Sequence, residues 1–169
     1  MFSTSRSTIV LLLFGAAVLP AAGPPPELKD PFLDNFVGDW SVARTMSNGR
    51  NVETTVHGKW VLKHQFIQLH YGWVGPEPKY EALVFIGFDE EGKSYVCHWL
   101  DIFGGHFSGV GRGKLDPNLL GIEFRFASKD GSLTNTFGFD PGAKSWTSRI
   151  RQEENGDWKT FAEEKWTKK

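Results

Sequence analysis

His98, Asp101 and Glu163 are the side chains of this sequence best suited to moving a proton, and Arg149 and Arg151 those best suited to holding an anion. An imidazole or carboxylate aimed into an apolar chamber has its pKa displaced by desolvation, which fits it for acid–base work in an isomerisation, a cyclisation or a hydrolysis. The ordinary alternative for His98 is a histidine satisfied within a wall. Arg149 and Arg151 flank Ile150, so in a strand they share a face. Beside Glu163 on the last strand they either pair across strands or grip an anionic group. Pairing at the surface is the commoner outcome, because exposed ion pairs are nearly neutral in energy.

Other signatures of chemistry are scarce. Gly109-Val110-Gly111-Arg112-Gly113 runs into Lys114-Leu115-Asp116-Pro117 and not into a helix, so it is no dinucleotide cradle. No Gly-x-Ser-x-Gly elbow is present. The histidines at 57, 64, 70, 98 and 106 show no metal-ligand spacing, and no metal is expected. Cys97 is the only cysteine; it can form no internal disulfide, and as a nucleophile it would need a setting that lowers its pKa.

Short strands must position these groups. Runs rich in Val, Ile, Phe, Tyr, Trp and Thr fall near 39–46, 50–61, 63–73, 79–89, 93–103, 106–115, 119–128, 131–140, 143–153 and 157–168. They are separated by turn residues such as Asn48-Gly49, Asp116-Pro117-Asn118, Asp130-Gly131 and Asn155-Gly156. A long meander has to close to remove its edges, which predicts an all-β, ten-stranded antiparallel up-and-down barrel. Seven Trp and fourteen Phe supply a ring-rich, apolar interior. Ahead of the first strand, Asp30 suits an N-cap and Pro31 the first position of a short helical turn through Phe36. The segments Gly87-Phe88-Asp89-Glu90-Glu91-Gly92-Lys93-Ser94-Tyr95 and Gly138-Phe139-Asp140-Pro141-Gly142-Ala143-Lys144-Ser145-Trp146 share one pattern. Either one hairpin solution is used twice, or the turn chemistry coincides.

Reading Gly104-Gly105 as a two-residue hairpin turn sets Trp99 opposite Val110 and His98 opposite Gly111. Gly109, Gly111 and Gly113 then share a face with His98, while Trp99 and Asp101 take the other. Three glycines on one face let a strand bend sharply, or leave room for a ligand or a neighbour's bulky group. Which face points inward stays open. The run Ala82-Leu83-Val84-Phe85-Ile86 is apolar on both faces, so its outer side calls for a cover or a second copy in a homodimer.

The N-terminus reads as an export signal over residues 1–23: Arg6, an apolar run from Ile9 to Leu19, then Ala21-Ala22-Gly23. The run is short for a membrane span, which takes about 20 apolar residues. A stiff Pro-rich lead over 24–30 and one barrel domain over 31–169 complete the chain, which is expected to be secreted or periplasmic without a membrane span. Removing the signal takes one of 19 basic side chains and none of 20 acidic ones, and a slightly acidic protein has no electrostatic footprint for nucleic acid.

Phe36-Val37-Gly38-Asp39-Trp40 resembles the Gly-x-Trp signature of lipocalins and fatty-acid-binding proteins, in which the tryptophan plugs one end of the barrel. In strand rhythm, in Tyr95-Val96-Cys97-His98-Trp99-Leu100-Asp101 and in the closing Glu163-Glu164-Lys165-Trp166-Thr167-Lys168-Lys169, the chain is similar to bacterial lipocalin-like domains of unknown function, of the type numbered 1579. That resemblance implies a calycin-like barrel and gives weight to Trp40, Trp99 and Asp101, but brings no reaction with it. Haem-binding nitrobindin-like barrels also begin with a Gly-x-Trp strand, yet they present a histidine from the C-terminal half, and none follows His106. No cofactor is therefore expected. The expected function is to hold a small, largely apolar ligand, with Trp40, His98, Trp99, Asp101, Arg149, Arg151 and Glu163 as candidate contacts. The alternatives are a barrel enzyme using Asp101, His98 or Glu163, and a solid-packed interaction protein that dimerises through 82–88.

Overall fold

A computed structural model describes residues 23–72, 80–106, 108–127 and 131–169; the segment expected to be an export signal, residues 1–23, lies outside them except for Gly23. A single helical turn, α1 (Pro31–Asp34), precedes the sheet. Asp30 caps it, its Oδ1 accepting the Phe32 and Leu33 N–H groups at 2.9 and 3.0 Å, and Pro31 occupies a position where a helix needs no donor. The other oxygen, Oδ2, accepts the Tyr95 hydroxyl at 2.5 Å, which ties α1 to the barrel wall. Replacing Asp30 with alanine removes the cap and strands a buried hydroxyl, so the denaturant midpoint should fall by an amount equal to about 2 kcal/mol.

Among the described residues eleven strands follow: β1 (Gly38–Met46), β2 (Asn51–Val61), β3 (Phe66–Tyr71), β4 (Ala82–Asp89), β5 (Ser94–Asp101), β6 (Gly109–Gly113), β7 (Leu115–Asp116), β8 (Gly121–Phe126), β9 (Leu133–Asp140), β10 (Ser145–Glu154) and β11 (Asp157–Lys168). β6 and β7 are one strand interrupted at Lys114, and both pair with β8. The barrel is therefore ten-stranded, as the spacing of turns predicts. Every pairing is antiparallel and joins neighbours in sequence, except that β1 pairs with β11 to close the ring.

Side chains alternate in and out with the pleat. Trp40, Val56, Tyr71, Val84, Cys97, Phe124, Phe137, Trp146 and Trp166 lie inside and are almost wholly shielded from solvent. Phe32, Leu33 and Phe36 of the α1 segment drop into one end of the ring. Phe36 stacks on Trp146 at 3.7 Å with the planes 5° apart and meets Phe137 edge-on at 5.5 Å, so this end is filled by rings. On the outside, Leu100 and Val110 are exposed and Leu83 and Phe85 half-buried; these form the outer apolar face expected of β4 and its neighbours.

The repeated segment is one turn used twice. Asp89 Oδ1 accepts the Gly92 N–H at 3.0 Å, and Asp140 Oδ1 accepts those of Gly142 and Ala143 at 2.8 and 3.0 Å. Lys93 and Lys144, at matching positions, both turn left-handed with φ of 46° and 47°.

The Gly104-Gly105 register is corrected. β5 ends at Asp101 and β6 begins only at Gly109; between them Asp101 Oδ1 accepts the Phe103 N–H and its backbone oxygen accepts that of Gly104, both at 3.0 Å. The ladder then pairs Trp99 with Gly109, Cys97 with Gly111 and Tyr95 with Gly113. A slip of one residue moves every side chain to the opposite face. The three glycines therefore share the inner face with Trp99 and Asp101, and His98 points outward. Phe126 lies across the stripe: a methyl group on Gly111 would come within 2.7 Å of its ring, and one on Gly109 within 3.2 Å. The glycines make room for a neighbour's bulky group.

Candidate ligand site

Trp40 closes the end of the barrel that α1 fills. It is buried, its indole N–H donates to the Phe36 backbone oxygen at 2.9 Å, and Lys168 Nζ stands 5.3 Å above its ring. It braces the α1 segment at the base.

Towards the opposite end the inner face turns polar. Two residues beyond Val42 on β1, Arg44 faces Glu164 of β11. Its Nε donates to Glu164 Oε1 at 2.6 Å, and Nη2 lies in ion-pair contact with the same oxygen. Glu164 Oε2 accepts the Trp166 indole N–H at 2.9 Å, so both carboxylate oxygens are engaged in a fully buried position. The guanidinium carbon is 5.1 Å from the centre of the Tyr80 ring and 5.9 Å from that of Tyr71. Trp99 leans on Tyr71 at 5.4 Å and donates its indole N–H to the Tyr80 hydroxyl at 3.2 Å. That hydroxyl donates to Asp101 Oδ2 at 3.5 Å. Around the wall, Ser148, paired with Glu164 in the ladder, donates to Asn135 Oδ1 at 2.8 Å.

One polar atom of this layer is left over. Tyr71 Oη is buried and makes no hydrogen bond, although such groups are nearly always paired. Arg44, Tyr80, Trp99 and Asp101 each keep some solvent contact. Burial works against the charge of Arg44, but the attraction of Glu164 outweighs it and the pKa ends above its usual value. Burial pushes the Tyr71 hydroxyl far up, and pushes Tyr80 to about 12 despite the opposing hydrogen bond from Trp99.

All three tyrosines of the chain are raised in this way, Tyr95 by burial and by its bond to Asp30. An unfolded tyrosine ionises near pH 10. The folded values are higher, so the stability contributed by the neutral rings is whole below about pH 10 and is lost as pH climbs towards the folded values. Tyrosinate absorbance should stay low at about pH 10, then rise cooperatively together with loss of the β circular dichroism signal. A gradual titration of folded protein centred near pH 10 would contradict this burial.

The residues singled out by type divide sharply. Trp99 and Asp101 face inward and join the polar layer. His98 faces outward, with the Phe66 ring 6.3 Å away. Arg149 and Glu163 pair with each other on the exterior at 2.8 Å, both more than half exposed. Arg151 is also outside, above the Trp158 ring at 5.4 Å, with Arg125 over the same ring at 5.3 Å. Of the two alternatives for these arginines, Arg149 takes cross-strand pairing with Glu163, and Arg151 lies over a ring. Arg44, Tyr71, Tyr80 and Glu164 are the members of this polar layer that residue type alone passes over. Parity could have found two of them: Arg44 lies four residues after Trp40 and Glu164 two before Trp166, so each shares the face of a tryptophan.

A family model described as a protein of unknown function, DUF1579, matches residues 26–168. No curated protein matches the chain.

Proposed function

The chain belongs to the DUF1579 family of proteins of unknown function, and from that premise we propose that it is a small-molecule-binding barrel, taking a largely apolar ligand whose polar end meets the layer around Arg44. The observation that carries this reading is one unsatisfied polar atom, Tyr71 Oη, set beside the Arg44 guanidinium and the rings of Tyr80 and Trp99. A buried donor without an acceptor costs about 1–3 kcal/mol, and a ligand oxygen offsets that cost while its apolar body covers the rings. An enzyme working through Asp101, His98 or Glu163 has less behind it: His98 and Glu163 face outward, and both Asp101 oxygens already have donors. Native mass spectrometry of protein incubated with cell extract should show a retained small molecule. That molecule should be lost from an Arg44→Met, Glu164→Leu double variant that still folds. Retention of nothing by the wild-type protein would sink the reading.

Export belongs to the same proposal. The apolar run Ile9–Leu19 and the small residues before Pro24 support delivery outside the cytoplasm, and the lone thiol of Cys97 is compatible with an oxidising compartment. It is fully buried, and burial raises its pKa, which makes it inert. N-terminal sequencing of protein recovered from outside the cytoplasm should begin near Pro24; an intact Met1 terminus would count against export.

A further inference from the structure

We infer that the polar end of the ligand is an uncharged hydrogen-bond acceptor, a carbonyl oxygen of an ester, amide or ketone, and not a carboxylate. The inference rests on the binding reading above and narrows it to a chemical class.

The charges of the layer decide the matter. Among the described residues it contains one guanidinium, Arg44, and two carboxylates, Glu164 and Asp101, together with the neutral groups of Tyr71, Tyr80, Ser148 and Asn135. The positive charge of Arg44 is already committed to Glu164, which is fully buried and also accepts from Trp166. A ligand carboxylate would add a third anion against a single cation in a ring-lined site where like charges are poorly screened. It could win Arg44 only by leaving Glu164 buried and unpaired. What the layer does lack is an acceptor: the Tyr71 hydroxyl is a donor with nothing to donate to. A carbonyl oxygen, with two lone pairs and no charge, fits that need. The Tyr71, Tyr80 and Trp99 rings supply the apolar wall for the rest of the molecule.

The test uses matched probes on two apolar bodies, a dodecyl chain and a naphthylmethyl group, each ending in a methyl ester, an N-methyl amide, a carboxylate or nothing. Binding to the mature protein is read by calorimetry at neutral pH. The ester and amide of at least one body should bind about ten-fold or more tighter than its carboxylate, a difference that corresponds to about 1.4 kcal/mol. Tyr71→Phe should narrow the advantage of the ester over the bare hydrocarbon. Glu164→Gln, which keeps an acceptor for Trp166 and frees the charge of Arg44, should raise carboxylate affinity. A wild-type protein that binds the carboxylate as tightly as the ester overturns the inference and leaves the binding reading standing. If no probe of either body binds, hydrocarbon included, the binding reading falls and takes this inference with it.

Discussion

Replacing Arg44 with methionine should cost the folded protein about 3–5 kcal/mol, the penalty expected when one partner of a buried ion pair is removed and the other is stranded. The stranded group is Glu164, whose side chain has no solvent contact. Without the guanidinium it keeps one donor, the Trp166 indole, too little to hold a full charge in that position. Two second substitutions separate this account from a simple loss of packing. Glu164→Gln in the Arg44→Met background removes the stranded charge and should recover much of the loss, since the amide oxygen still accepts from Trp166. Glu164→Leu in the same background should also recover stability, because an apolar pair of similar volume is often as good as a buried ion pair. Urea midpoints with unchanged slopes would give the coupling as a double-mutant cycle. If Arg44→Met costs under about 1 kcal/mol, the pair is no better than a surface one and the polar layer loses its central element.

The same pair shows what can and cannot be read from the chain. The ten-stranded meander is legible because nearly every connection carries Gly, Asn, Asp or Pro, and the recurrent hairpin because the left-handed positions of Lys93 and Lys144 follow the same Gly-Phe-Asp run. One turn has no such signal. Leu62, Lys63 and His64 are all left-handed, with φ of 52°, 53° and 60°, and none is glycine. They are held by the N-terminal lead through the Leu28 N–H donating to the His64 oxygen and Gln65 Nε2 donating to the Pro26 oxygen. The site is harder to read than the fold because a barrel sorts side chains by parity, and parity depends on register. Gly104-Gly105 has the chemistry of a two-residue turn but sits inside a longer connection, and that single step moves Gly109, Gly111 and Gly113 from the face of His98 to the face of Trp99 and Asp101. On β11 the same arithmetic separates Glu163, outside with Arg149, from Glu164, inside with Arg44.

Gly58→Ala should be the most damaging single methyl group that can be added to the barrel wall, whereas Gly111→Ala should be milder and open to rescue. At Gly58 a Cβ would stand 2.0 Å from the Phe36 backbone oxygen and 2.9 Å from its carbon. That oxygen is the acceptor for the Trp40 indole, and the Phe36 ring is the one stacked on Trp146. A backbone carbonyl cannot rotate away, so the clash must lift the α1 segment from the end of the barrel, break the Trp40 hydrogen bond and open the ring stack. Overpacking of this kind costs about 3 kcal/mol or more, and loss of near-ultraviolet circular dichroism from Trp40 and Trp146 should accompany the fall in stability. At Gly111 the obstacle is the far end of the Phe126 ring, 2.7 Å away, a side chain that can move. Gly111→Ala should cost about 1–2 kcal/mol, and Phe126→Leu should lower that cost by shortening the side chain that meets the new methyl. The contrast assigns different duties to glycines that look alike in the sequence: Gly58 lets the base of the barrel be plugged, and Gly111 lets Phe126 fold across the wall near the Arg44 layer. Equal losses for the two variants, with no rescue by Phe126→Leu, would mean that both glycines serve only to curve their strands.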